Sequence, residues 1–190
     1  MNPLGTQFRS GDALIIVDLQ RDFCLGGALP VSGGDDIVQV INSLIEEGIR
    51  AGALIVASRD WHPPDHVSFD VRGGPWPEHC VRETEGAEFH ARLRLPSSAM
   101  IVTKGDKVDE DQYSAFDGTG LTDRPRRRGV NRVLICGLAQ DVCVRATALD
   151  AIDSGFETHV LLSATRPITP AGGKEAIAAS TRAGVQVDAS

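Results

Sequence analysis

The sequence predicts a doubly wound α/β fold built on a mainly parallel sheet of six strands. Two observations predict it: six short runs rich in Val, Ile and Leu, and amphipathic helical patterns that alternate with them. Strands that alternate with helices are joined by right-handed crossovers, which give a parallel sheet covered on both faces. The length of 190 residues suits one domain spanning residues 1–190, because such a chain can bury a single core without disulfide or metal support.

The six apolar runs are short and uninterrupted, which is typical of strands buried on both faces of a sheet. They occupy residues 13–17, 54–57, 100–102, 132–136, 159–162 and 185–187. They therefore predict the strands in chain order, but not the order in which the strands lie side by side.

Three segments are predicted to be helices. Residues 36–50 carry apolar side chains at helical spacing, which form one stripe, and Gly52 ends the segment. A second helix is predicted at residues 142–154, with Asp141 as its N-cap. A third is predicted at residues 172–183.

Composition and charge restrict the class of partner. The chain has 19 basic and 26 acidic residues and a net charge of -7, so a nucleic acid or an anionic membrane would bind against the overall field. A small-molecule substrate fits better. No stretch approaches the ~20 apolar residues of a membrane span, and the first residues do not resemble a secretory leader, so we expect a cytoplasmic protein. The four cysteines form no CxxC pair.

Four reactive side chains follow four of the apolar runs. They are Asp18, Asp60, Lys104 and Cys143. Ligands of open α/β sheets bind outside the carboxyl ends of the strands, so these side chains are expected on one rim of the sheet.

Each member of this rim has two interpretations. Cys143 is either a nucleophile, its pKa lowered by a helix N-terminus, or a buried cysteine that acts as a small hydrophobe. Asp18 is either the base that takes the thiol proton or a residue that caps backbone amides. Lys104 alone would be a surface lysine, but on a rim with Asp18 it can compensate the desolvation of the carboxylate.

The segment "DWHPPDH" begins a long, proline-rich connection at residues 59–98. Loops of this length in compact domains are usually functional. Asp60, His62 and His66, with His79 further along, offer a carboxylate and imidazoles that suit one Zn, Fe or Mn ion. The alternative is a polar loop whose histidines pack on the two tryptophans.

At these residues the chain resembles the nicotinamidases, also called pyrazinamidases, of the isochorismatase-like cysteine hydrolases. The resemblance runs over nearly the whole chain, and five motifs occur in the order of the family. They are "VDLQRDFCLGGALPV" (17–31), "SRDWHPPDHVSF" (58–69), "WPEHC" (76–80), "KGDKVDEDQYSAF" (104–116) and "GLAQDVCVRATALDA" (137–151).

The resemblance implies a three-layer α/β/α fold and an enzyme that hydrolyses nicotinamide to nicotinate and ammonia in NAD salvage, with pyrazinamide as a further substrate. It also implies roles for residues of this chain. Cys143, Asp18 and Lys104 would be catalytic. Asp60, His62 and His79 would hold a divalent metal, and some members also use the histidine that corresponds to His66. Phe23 and Trp76, which would otherwise be loop packing, would sandwich the aromatic ring. The N–H groups of Ala139 and Cys143 would form the oxyanion hole, with a cis peptide between Leu138 and Ala139.

Other functions stay open at this point. The chain could be another amidase of the same superfamily, acting on a different small amide or carbamoyl compound. It could be a non-haem iron oxygenase in which the metal does the chemistry and Cys143 is structural, or a catalytically silent binding domain. Two positions depart from the family: Arg21, which could alter the pocket, and Ser163. The sequence leaves self-association into a homo-oligomer open.

Overall fold

The computed structural model describes residues 7–188 and contains a six-stranded, all-parallel sheet. The strands are β1 (Asp12–Val17), β2 (Leu54–Asp60), β3 (Met100–Lys104), β4 (Arg132–Leu138), β5 (Glu157–Arg166) and β6 (Gln186–Asp188). Their lateral order is β3-β2-β1-β4-β5-β6. The chain therefore winds outward from β1 in both directions, which confirms the predicted doubly wound fold.

The strands extend beyond the predicted runs, chiefly at their carboxyl ends. β2 and β3 continue to Asp60 and Lys104, which are paired partners in the parallel ladder, and β5 continues to Arg166. The apolar runs end earlier because the last residues of these strands are polar. Ladder hydrogen bonds join backbone groups and do not require apolar side chains.

Four α-helices connect the strands: α1 (Ile37–Ala51), α2 (Asp123–Arg126), α3 (Arg145–Asp153) and α4 (Pro170–Arg182). α1 ends at Gly52, which has a left-handed backbone (φ 77°) and donates its N–H to the carbonyls of Gly48 and Ile49. Glycine takes this conformation without a Cβ penalty. α4 begins after Thr169, whose side chain accepts the N–H of Gly172. These two helices match their predicted positions.

The predicted N-cap at Asp141 is wrong. A π-helical turn, Gln140–Val144, leads into α3, so Asp141 lies inside the helical turn and does not precede it. Its carboxylate instead accepts the N–H groups of Ile168 (2.8 Å) and Thr169 (3.3 Å), which precede α4. Asp141 thus fixes the approach of α4 to the turn that carries Cys143.

The core forms two layers, one on each face of the sheet. Leu14 and Ile16 of β1 pack with Ile41 of α1, whereas Ile15 packs with Ala148 of α3 on the opposite face. Successive strand residues point to opposite faces, so β1 is buried on both sides. This arrangement confirms the three-layer α/β/α architecture.

The long connection between β2 and β3 contains only single 3-10 turns, Asp70–Arg72 and Glu85–Ala87. It lies against the carboxyl ends of the strands: the N–H of Trp61 donates to Lys104 O, and that of His90 to Leu19 O. No helix within residues 7–188 is long and apolar enough to cross a membrane.

Candidate active site

A cavity opens at the carboxyl ends of the central strands. Its lining includes these residues singled out from the sequence: Phe23, Asp60, His62, Trp76, His79, Ala139 and Cys143. Strands β2, β1 and β4 are adjacent, so residues that are far apart in the chain meet at this rim. This is the location expected for a ligand site in a doubly wound sheet.

Cys143, Lys104 and Asp18 meet beside the cavity, and we refer to them as the thiol trio. Lys104 Nζ lies 3.6 Å from Cys143 Sγ and 2.8 Å from Asp18 Oδ2. The Lys104 side chain is fully buried and also contacts Asp60 Oδ1. The ammonium therefore links the thiol to two carboxylates.

Asp18 is held at the end of β1 with one carboxylate oxygen left available. Its Oδ1 accepts the hydroxyl of Ser58 at 2.7 Å. Oδ2 is the one buried side-chain polar atom, among the described residues, that makes no aligned hydrogen bond, although it is ion-paired with Lys104. Such an atom can accept a further proton. Asp18 also has a left-handed backbone (φ 46°), which Asp tolerates better than most residues.

Burial and charge shift the pKa values of this site in opposite directions. Burial lowers the pKa of Lys104, but Asp18 and Asp60 outweigh it and raise that pKa well above its usual value. Burial raises the pKa of Asp60, but Lys104 and then His62 hold it well below its usual value. The pKa of Asp18 is raised, because burial outweighs the nearby ammonium. Lys104 is thus a cation, Asp60 an anion, and Asp18 a more basic carboxylate than usual.

The structure opposes the electrostatics of one of the two interpretations of Cys143. In that interpretation the helix N-terminus lowers the pKa of the thiol, but burial raises it well above its usual value, and the Lys104 ammonium only partly opposes that effect. The neighbouring carboxylates Asp18 and Asp60 raise it further. The resting thiol is therefore protonated and needs a base to become a nucleophile.

Asp60, His62 and His79, the metal trio, fit a divalent ion. Their ligand atoms lie within 4.8 Å of one another, and all three residues are buried. His62 Nδ1 contacts Gly105 O at 2.9 Å and His79 Nδ1 contacts Pro77 O at 2.7 Å. A ring N–H that donates to a carbonyl leaves the other nitrogen unprotonated and fixes its direction. Each histidine therefore offers Nε2 as a ligand, and the set suits zinc with positions open for water or substrate.

Within residues 7–188, two other clusters of potential ligands fit a metal less well. In the first, Cys24, Asp35 and His90, the His90 Nδ1 accepts the N–H of Arg92, so Nε2 carries the proton that it donates to Asp35. That imidazole offers no free lone pair. The second cluster joins Asp60 to Asp18 and Cys143, where the Lys104 ammonium already supplies the positive charge.

His66 is not brought into the metal trio, although the family resemblance made it a candidate ligand. Its ring stacks near that of His62, with centroids 4.1 Å apart. Both of its nitrogens have protein partners: Nδ1 lies 2.7 Å from Ser68 Oγ and Nε2 lies 3.0 Å from Glu110 O. The residue supports the packing of His62, and its role as a ligand stays a prediction.

Gly105 leaves the space that His62 occupies. A Cβ at this position would lie 2.4 Å from His62 Cε1, and the backbone is left-handed (φ 63°). We expect Gly105→Ala to displace the imidazole and to weaken zinc binding by roughly 10- to 100-fold, as changes behind a ligand do. Zinc titration by calorimetry checks this. Gly120→Ala is the control, because Gly120 is also left-handed (φ 73°) but a Cβ there would have no atom within 4 Å. Unchanged zinc affinity in Gly105→Ala would contradict the account.

The two predicted aromatic residues, Phe23 and Trp76, line the same cavity. The Phe23 ring lies 5.5 Å from the ring of His79, between centroids. Trp76 Nε1 donates to the hydroxyl of Tyr113 at 3.2 Å, which fixes the indole. A flat aromatic ligand would thus have an aromatic surface close to the metal trio.

Ala139 and Cys143 lie at the two ends of the π-helical turn and both line the cavity. The peptide bond between Leu138 and Ala139 is cis, as the family resemblance implied. Ala139 O accepts the N–H groups of Val142 and Val144, each at 3.1 Å. The residue before this segment, Gly137, has to be a glycine, because a Cβ there would lie 2.0 Å from Val17 O.

Several residues that hold the site were not singled out from the sequence. Gln20 donates to Asp60 O and accepts the Asp60 N–H, each at 2.8 Å, and so fixes the end of β2. Gln112 accepts the N–H of Gly105 at 2.9 Å. The signal in the sequence that could have indicated these two glutamines is their position inside the family motifs at residues 17–31 and 104–116. Arg21 does not line the cavity and pairs with Glu85 on the surface.

A comparison with known families identifies the chain. The model of the isochorismatase domain matches residues 12–189. The chain belongs to the isochorismatase family. Its members matched here include the nicotinamidase of Escherichia coli K12, which is 38% identical over 177 residues, covering 82% of this chain and 83% of that one.

Solved structures of isochorismatase-like proteins agree with this assignment. The pyrazinamidase of Pyrococcus horikoshii in complex with zinc is 49% identical and has a TM-score of 0.91, covering 93% of this chain and 98% of that one. PnC1 of L. infantum in complex with nicotinate is 37% identical and has a TM-score of 0.88, covering 96% and 94%.

Proposed function

We propose that this protein is an amidohydrolase that converts nicotinamide to nicotinate and ammonia, and pyrazinamide to pyrazinoate. The observation that carries the proposal is that Cys143, the metal trio and the Phe23–Trp76 pair all line one cavity, with Lys104 Nζ 3.6 Å from the thiol sulfur. Nicotinamidase and pyrazinamidase relatives over most of the chain support the substrate class. The small neutral amide also suits a protein with a net charge of -7.

The first half of the reaction forms a thioester. Asp18 takes the thiol proton of Cys143, and the thiolate adds to the amide carbon. Lys104, 3.6 Å from the sulfur, stabilises the thiolate and keeps Asp18 ionised before the transfer. Asp18 then returns the proton to the amide nitrogen, the C–N bond breaks, and ammonia leaves.

The oxyanion of the tetrahedral intermediate is stabilised by the N–H groups of Ala139 and Cys143. A well-placed donor of this kind contributes about 3 kcal/mol to transition-state stabilisation. Both residues belong to the short segment that joins β4 to α3, and both line the cavity.

The second half hydrolyses the thioester. Asp18 accepts a proton from water as the water oxygen attacks the carbonyl carbon. The C–S bond then breaks, Cys143 recovers its proton from Asp18, and the acid leaves and loses its remaining proton to solvent as nicotinate. The raised pKa of Asp18 suits a group that alternates between base and acid.

Asp60, His62 and His79 would hold the divalent ion. When bound, it supplies a Lewis acid next to the cavity, which can orient a ring nitrogen and activate water. Phe23 and Trp76 would hold the pyridine ring between them and thereby place the amide beside Cys143.

We place the protein in the cytoplasm and in NAD salvage. All four cysteines are free and buried, which suits a reducing compartment. Nicotinate, the proposed product, is a precursor of pyridine nucleotides.

An ammonia-release assay on nicotinamide tests the proposal. We expect turnover by the zinc-loaded protein, a loss of at least about tenfold after treatment with a chelator, and recovery when zinc is returned. A panel containing benzamide, pyrazinamide and N-carbamoyl compounds is the comparison. If nicotinamide released no ammonia at any metal loading but another amide did, that other amide would take the place of nicotinamide as the substrate.

A further inference from the structure

Asp22 lies in the first family motif, yet no step of the proposed reaction uses it. Its carboxylate joins two segments that are distant in sequence. Oδ1 accepts the N–H of Ala28 at 3.1 Å, and Oδ2 accepts the N–H of Cys80 at 2.7 Å. The two oxygens of one carboxyl group thus accept from backbone N–H groups of two segments.

The two segments carry different parts of the site. Ala28 precedes Leu29, which lines the cavity with Phe23 and Val31; we call these three residues the substrate wall. Asp22 reinforces this wall through its own carbonyl, which accepts the N–H of Leu29 at 2.9 Å. Cys80 follows His79 of the metal trio, and its carbonyl accepts the N–H of His62 at 2.9 Å. One carboxylate thus lies between the substrate wall and the loop that presents two metal ligands.

Two glycines pack closely against Asp22. A Cβ at Gly86 would lie 2.2 Å from Asp22 Oδ2, and a Cβ at Gly27 would lie 2.4 Å from Asp22 Cα. Neither glycine has a left-handed backbone, so the reason for glycine at these positions is the close approach of Asp22.

We propose that Asp22 is a positioning residue that holds the substrate wall and the His79 loop in one arrangement, so that metal retention and substrate binding depend on the same carboxylate. This inference takes the identity of the substrate from the proposed function. The effect of Asp22 on metal retention does not depend on that function. Only a carboxylate serves both bonds, because an asparagine would turn its NH₂ group toward one of the two N–H donors.

The test compares zinc retention and steady-state kinetics in the full-length, zinc-loaded protein. For Asp22→Asn we expect zinc transfer to a chromophoric chelator to be about tenfold faster. With zinc in excess, KM for nicotinamide should rise roughly tenfold while kcat stays within about threefold. Gly86→Ala, which displaces the carboxylate without changing its charge, should produce both changes.

Asp35→Asn is the matched control. Asp35 lies in the same loop and accepts the N–H of Leu25 at 2.8 Å, but it has no bond to Cys80. It should leave zinc retention unchanged. Wild-type zinc retention in both Asp22→Asn and Gly86→Ala would overturn the inference, whatever KM does. The zinc measurement needs no turnover. A wild-type protein without nicotinamidase activity would refute the proposed function, and the zinc retention of the Asp22 and Gly86 variants would still decide the role of Asp22.

Discussion

Replacing Cys143 by alanine is expected to abolish ammonia release from nicotinamide while the protein keeps its zinc. The thiol is the proposed nucleophile, and removing the nucleophile of a covalent hydrolase lowers kcat by at least about 10⁴-fold. Cys143 is not part of the metal trio, and its sulfur contacts Lys104, so zinc content should stay near that of the wild type. Ammonia release measured over long incubations, together with metal analysis of the same sample, checks both parts.

Cys136→Ala is the matched control for that prediction. Cys136 is equally buried, but it lies inside β4 with its sulfur 3.7 Å from Ile15 O. Its replacement should leave kcat within about threefold of the wild type, because it only removes a small apolar side chain. If Cys143→Ala kept more than a few per cent of wild-type turnover, that thiol could not be the nucleophile.

His62→Ala is expected to lose zinc and activity together. The imidazole is one of the three proposed protein ligands, and the contact of its Nδ1 with Gly105 O leaves Nε2 for the metal. Substituting a residue that hydrogen-bonds to a metal ligand weakens metal binding by up to about 100-fold, so loss of the ligand itself should weaken zinc binding by more than that. Nicotinamide turnover should fall in parallel. Zinc equivalents after gel filtration and ammonia release check the two effects.

His66→Gln separates the metal trio from the histidine beside it. A glutamine can bond to Ser68 or Glu110, the two partners that His66 contacts. This variant should keep one equivalent of zinc. Loss of zinc in His66→Gln would make His66 a ligand after all, and retention of zinc in His62→Ala would contradict the proposed metal site.

The competing functions make different demands on the same side chains. An iron oxygenase would need dioxygen and would tolerate Cys143→Ala, and a silent binding domain would release no ammonia from any amide. Neither accounts for the fully buried Lys104 between Asp18 and Asp60. Such an ammonium and its carboxylates are costly to desolvate, and this arrangement adjoins a thiol in a cavity. The remaining alternative is that the protein hydrolyses another small amide, and the panel of amides tests it.

The sequence determined the elements and the residues that follow them. The apolar runs and the helical stripe are local patterns, so they predicted the six strands, α1 and α4 within a few residues. The family motifs indicated Cys143, Asp18, Lys104 and the metal trio. The pattern was less informative at α3, because a π-helical turn precedes that helix and the predicted N-cap Asp141 bonds instead to the segment before α4.

Only the tertiary structure decided which of these residues meet and what charge they carry. The lateral order puts β2 beside β3, which pairs Asp60 with Lys104, and puts β1 beside β2, which brings Asp18 to the same ammonium. It also buries Cys143 enough to raise its pKa, against the local expectation from a helix N-terminus. Desolvation and the distances between charges depend on neighbours from other strands, and local periodicity contains no information about those neighbours.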